Sequence, residues 1–191
     1  MTVLLVIAVV AIALAVLAVI GISNNLVVQR HRVVQAFSTI DVLLKNRFDL
    51  LPNLVAVVGR YMRHEASTLA RVTELRSQTG GSAPAESRLA ADAEISRILG
   101  GLRLQIENYP ELKADHSFQQ LFSSLEGMEG QISSARRAYN AAVTSFNNAI
   151  EMFPGNLFAG RWGFTRRLVL QIPESDRAVP SVKTLFDSHE E

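Results

Sequence analysis

The sequence predicts an all-α protein. One N-terminal transmembrane helix continues into an elongated antiparallel up-down helical bundle of three long helices and a short C-terminal fourth. Three observations carry that prediction. The first 22 residues hold no charged side chain, and all 19 Lys and Arg and all 18 Asp and Glu lie beyond them. The remainder shows apolar residues at helical spacing in three long segments. Short runs of turn residues divide those segments.

The first element, residues 1–23, reads as a membrane anchor. Val3 to Ile22 consists of Val, Leu, Ile and Ala with Gly21 as its one other residue. At helical rise such a run spans roughly 30 Å, the thickness of a bilayer's hydrocarbon core. A cleaved signal peptide would begin with Lys or Arg, carry a shorter apolar stretch and end at small residues. Here Met1-Thr2 leads straight into the apolar run, and Gly21-Ile22-Ser23 makes a poor cleavage site. Arg30 and Arg32 follow the exit, so the positive-inside rule places the N-terminus outside and the domain in the cytoplasm. A domain on the outer face or in a periplasm is the alternative.

Residues 24–170 read as the bundle. Its first helix is expected from Asn24 to Gln78, with Phe37, Leu44, Leu51, Val58 and Val72 on one heptad seam. Ile40, Leu54, Tyr61 and Leu75 form the other, and Phe48, Val55, Met62 and Leu69 widen the stripe beyond a two-stranded seam. Pro52 predicts a kink. The second helix, Ala85 to Tyr109, repeats Ile95, Leu99, Leu102 and Ile106, and Pro110 is expected to end it. Asp115 is placed as N-cap of the third. That helix carries an apolar stripe from Phe118 through Leu125, Ile132, Tyr139 and Phe146 to Phe153, where Pro154-Gly155 stops it. Short loops then give an outward first helix, a returning second and an outward third, with a stalk near the membrane. Residues 157–164 are expected to cap the distal end or add the fourth helix, and residues 171–191 form a poorly ordered tail.

Composition removes several function classes. A formal charge of +1 does not suit a nucleic-acid binder. Without cysteine there is no thiol catalysis, thiolate metal site or disulfide. His64-Glu65 opens like the zinc-protease helix motif, yet Thr68 stands where the second histidine is needed. No phosphate-binding loop, serine elbow or Glu-x-x-His pair occurs. No cofactor is expected.

The candidate interaction or register-setting group is Arg47, Asp49, Asn53 and Glu65. Arg47 and Glu65 occupy seam positions, where burial alone calls for apolar residues. A buried charge needs a partner, and Glu107, Glu129 and Arg136 on other helices are the candidates. If Arg47 only sets register, Arg47→Met is expected to leave stability equal or greater. Tyr109 and Tyr139-Asn140 read as structural hydrogen-bonding residues between helices. The cluster Arg161-Trp162, Phe164, Arg166-Arg167 has a membrane-surface composition, but the outward third helix would carry it away from the bilayer, as a cap or subunit contact.

Longer motifs point to a family. Residues 44–55 (Leu44-Lys45-Asn46-Arg47-Phe48-Asp49-Leu50-Leu51-Pro52-Asn53-Leu54-Val55), Tyr61 and His64-Glu65 resemble the signature of LemA-family proteins. So do Glu107-Asn108-Tyr109-Pro110-Glu111-Leu112-Lys113-Ala114, Phe118, Glu129, Ile132, Arg136 and Tyr139-Asn140, then Val143, Asn147, Pro154 and Gly163-Phe164. Phe37 departs from a Trp common in such proteins, and Asn46-Arg47 from a basic pair. The resemblance implies a bacterial single-pass membrane protein with a helical-bundle domain, and no settled biochemical activity.

The expected function is a membrane-anchored scaffold or adaptor, without catalysis, that self-associates or organises other membrane proteins. Its expected partners are membrane lipids through the anchor, further copies of itself and a membrane protein. The alternative is a sensor holding a lipid or small hydrophobic ligand between helices, with Gly100-Gly101 leaving the room.

Overall fold

The computed structural model describes residues 1–62, 66–79 and 84–170. All regular elements among them are helical: α1 (Thr2–Tyr61), α2 (Ala66–Gln78), α3 (Ala85–Gln105), α4 (Pro110–Ala114) and α5 (His116–Glu151). Single 3-10 turns occupy Ile106–Asn108 and Gly155–Leu157. The chain divides into two compact units, both threaded by α1 and α5. One comprises Met1–Thr39 with Ala135–Leu170, the other Ile40–Ser134. The expected tail, residues 171–191, lies outside the described residues.

The unit of Ile40–Ser134 is built from α1, α2, α3 and α5, with the short α4 between the last two. The apolar rows of α1 are buried here at Ile40, Leu44, Phe48, Leu51, Leu54 and Val58. Ile95, Leu99 and Leu102 of α3 and Phe118, Leu125 and Ile132 of α5 are buried in the same unit. The first segment is not one helix to Gln78, because α1 ends at Tyr61 and α2 begins at Ala66. Leu69 lies against Gly59, and Arg76 lines a cavity with Lys45, so α2 doubles back along α1. The heptad count misses this reversal because Val58 to Val72 and Tyr61 to Leu75 keep the same period across it. α1 itself runs through Pro52 uninterrupted, with the residue on the exposed side.

Once α2 has turned back, α3 runs parallel to α1, opposite to the expected direction. Arg88 pairs with Asp41 at 2.5 Å, Arg47 with Asp92, and Tyr61, farther along α1, bonds Asp115 beyond the end of α3. α5 then returns antiparallel to α1, with Ser117 and Ser124 lining a groove beside Asn53 and Val57. Pro110 does not terminate α3. It opens α4 at the first helical position, where its missing N–H costs nothing.

Asp115 caps α5 as its position predicts. Its Oδ1 accepts the N–H of Phe118 at 2.9 Å, while Oδ2 accepts the Tyr61 hydroxyl at 3.0 Å. The Phe118 N–H first, and the Tyr61 hydroxyl second, hold the Asp115 carboxyl below its usual range. The same carboxylate, chiefly through its hydrogen bond, pushes the Tyr61 phenol up. A depressed acid contributes stability that is full above the unfolded-state value and lost as pH falls through the folded value. Asp115→Ala is therefore expected to melt below the parent at neutral pH. The gap should begin to narrow below about pH 4, the ordinary aspartate range, and close as pH falls through the lower folded value. Parallel melting curves for the two chains down to acid would instead place Asp115 outside the cap.

The unit of Met1–Thr39 and Ala135–Leu170 has its own core: Leu26, Val33, Val143, Phe146, Ile150 and Ala159, with Ile22 and Phe164 packed against it. Phe37 meets Tyr139 edge-on at 5.7 Å between ring centroids, so α5 runs back along α1 here too. Packing on α1 thus starts at Ile22, with no bare stalk between the apolar run and the core. Residues 157–164 sit beside the end of that run rather than at a distal end. Beyond the 3-10 turn that ends at Leu157 they form turns and a loop rather than a fourth helix. Gly155 is required where the chain turns, since a Cβ there would overlap the Ala149 carbonyl oxygen. The apolar run itself is exposed along its length and is one helix long and apolar enough to cross a membrane.

Candidate functional site

A seam residue on α1 and three others from two neighbouring helices build the most concentrated polar set. Arg47 is 1% exposed, and its Nη1 reaches Asp92 Oδ1 on α3 at 2.5 Å and Glu129 Oε2 on α5 at 2.5 Å. The same nitrogen donates to Ser96 Oγ at 3.1 Å, and the Ser96 hydroxyl donates to Glu129 at 2.6 Å. Three helices are thereby joined through one guanidinium. Among the described residues Arg47 Nε has no hydrogen-bond partner, so the burial of this cation is only partly compensated.

Glu129 is one of the acids considered for Arg47 from sequence. Asp92 and Ser96 are not, although a signal was present. Asp92 lies three residues before Ile95, so it extends the seam of Ile95, Leu99 and Leu102 by one polar position. It is as buried as Arg47. A charge on the α3 seam is thus as legible in the sequence as the charge at Arg47 on the α1 seam.

The other members of the sequence-derived group do not join Arg47. Asp49 is exposed and pairs with Lys45 four residues earlier at 2.7 Å, a surface contact of small energetic weight. Asn53 is exposed beside the shallow groove that it lines with Ser117 and Ser124. Glu65 lies outside the described residues. Helical geometry explains the separation, since two residues along α1 turn through about 200°. Asp49 instead borders a cavity of about 480 Å³ with Asp41, Lys45, Arg76 and Arg88. Gly100 and Gly101 are both exposed, and a Cβ at either would meet no neighbouring side chain within 4 Å, so they face solvent and open no ligand space between helices.

In the other unit, two asparagines of α5 hold an extended segment. Asn147 Nδ2 donates to the Arg167 carbonyl at 2.9 Å, and Asn147 Oδ1 accepts the Arg167 N–H at 3.0 Å. Asn140 makes the same pair of bonds to Leu170 at 2.9 and 2.8 Å. Seven helical residues rise about 10.5 Å, close to the ~10 Å spanned by three extended residues. The two amides therefore act as a ladder for a segment running antiparallel to α5. Asn147→Ala removes both bonds at a buried position and is expected to cost about 1–3 kcal/mol. Hydrogen exchange at the Arg167 amide should rise sharply with it. Unchanged protection there would mean the ladder is absent in solution.

A cavity of about 290 Å³ lies in this unit, lined by Arg30, Val33, Val34, Phe37, Ser38, Tyr139, Phe146 and Arg167. Among the described residues no group of three His, Cys, Asp or Glu side chains is placed to hold a metal ion.

The model of the LemA family matches residues 36–184, well over half of the chain. The chain belongs to the LemA family. Protein LemA of Metamycoplasma hominis is 28% identical over 159 residues, covering 83% of this chain and 73% of the relative. Magnetosome protein MamQ of Magnetospirillum gryphiswaldense is 24% identical over 155 residues, which is 68% of this chain and 57% of that protein. Magnetosome protein MamQ 2 of Paramagnetospirillum magneticum is 26% identical over the same shares. Arg47, Asp92 and Glu129, with Asn140, Asn147 and Arg167, all fall inside the LemA-matched span. In this LemA-family chain the polar residues at seam positions tie helices together, and the apolar N-terminal helix fits membrane anchoring.

Proposed function

We propose that this chain is a membrane-anchored helical scaffold, without catalysis, that self-associates or organises other membrane proteins. The observation that carries the reading is α1. One helix of 60 residues contains the exposed apolar run and also supplies buried residues to both units. A partner held by either unit would then be held at the bilayer, where anchoring raises local concentration. The burial of Arg47 and Asp92 supports this reading, because charges closed to solvent serve packing better than substrate access. Asp49 and Asn53, both exposed, are the members of the sequence-derived group that a partner could reach. The domain is assigned to the cytoplasmic side from Arg30 and Arg32.

Light scattering and cross-linking of the detergent-purified full chain test the scaffold. A stable homo-oligomer, or a reproducible membrane-protein partner lost in a folded Asp49→Asn variant, supports it. A monomer that recovers no partner overturns it. The cavity beside Phe37 and Tyr139 favours a second reading, a lipid or small hydrophobic ligand held between helices. Lipid co-eluting in fixed proportion, and lost on filling the cavity with Ser38→Phe, would decide for that reading.

A further inference from the structure

The apolar stripe of α5 ends on Phe153, but α5 stops at Glu151 and leaves that ring 79% exposed. Met152, Leu157 and Trp162 are also exposed, at 65%, 62% and 36%. Their position gives them meaning. Met152 and Phe153 border a cleft with Ile22, Asn25 and Leu26, at the end of the uncharged apolar run. The stretch from Met152 to Leu170 contains Arg161, Arg166 and Arg167 and no acidic residue. Exposed apolar side chains with an aromatic tip and arginines about them are the composition of segments that lie in a bilayer interface.

We infer that the Met152–Trp162 turn is a second membrane contact. Its apolar side chains enter the surface of the same bilayer that α1 crosses, and Arg161 meets anionic headgroups. The proposal rests on the anchored reading of α1. Continuity with the span selects the occupant. Where α1 leaves the hydrocarbon at Ile22, a side chain beside Ile22 and Asn25 stands at headgroup level. A second protein copy is the competing occupant, and the test separates the two.

Trp162 is the one tryptophan of the chain, so its fluorescence reports this turn directly. The full chain is reconstituted in vesicles of phosphatidylcholine and phosphatidylglycerol, with and without bromine on the upper acyl chain. Expected are flotation with the vesicles, blue-shifted emission, and strong quenching by the brominated lipid. Phe153→Ser/Leu157→Ser should keep the parental melting curve and lose most of the quenching. Flotation without lipid quenching overturns the contact while leaving the anchor intact, and shielding from soluble acrylamide would then assign the turn to a second copy. Failure to float overturns the anchor and the contact together.

Discussion

Arg47→Met is expected to destabilise the folded chain by about 3–5 kcal/mol, because it removes the positive charge from beside a carboxylate that is itself 1% exposed. Sequence alone leads to the opposite expectation, that methionine is neutral or better. That expectation holds when an entire buried ion pair is exchanged for apolar side chains. Asp92 makes the difference. Arg47→Met/Asp92→Leu should recover most of the loss, while Glu129, about half exposed, can turn its carboxylate to water. Urea melts of the single and double variants check this as a double-mutant cycle. Single-variant losses that simply add in the double variant would show that Arg47 and Asp92 are not coupled, and an Arg47→Met chain that melts with the parent would overturn the expected loss.

Leu125→Ala and Ile132→Ala are each expected to cost about 2–5 kcal/mol, the range for truncating packed core aliphatics. Leu125 is 0% and Ile132 1% exposed, and both belong to the Ile40–Ser134 unit. Leu121, on the same stripe but only half-buried, should lose less on the same change, which controls for helix propensity. Denaturant unfolding followed by circular dichroism gives the three values. Equal losses at all three positions would contradict the burial pattern of α5.

Periodicity made the helices legible. Seam positions such as Ile40, Leu44, Leu51, Leu54 and Val58 are buried, and Asp115 caps α5, because these depend on residues within a turn or two of one another. The N-terminal apolar run is equally local, since twenty uncharged residues are a matter of length and composition. At Phe153 the stripe continues in sequence after the helix and its packing have ended.

Sequence by itself thus determined the all-α class, the apolar helix, the three periodic segments and the anomaly of a charge at Arg47. Tertiary structure decided the rest. The turn from α1 into α2 keeps the heptad phase, so contacts across the fold, Leu69 with Gly59 and Arg76 beside Lys45, disclose it. That reversal sets the direction of α3 and hence brings Asp92 to Arg47. The direction of α5 brings residues 157–164 beside Ile22. Heptad spacing says which face of a helix is buried but carries no sign for its direction, because an apolar stripe packs equally well read either way. Partner identity and helix direction are therefore long-range properties, settled by which charges and side chains meet across the fold.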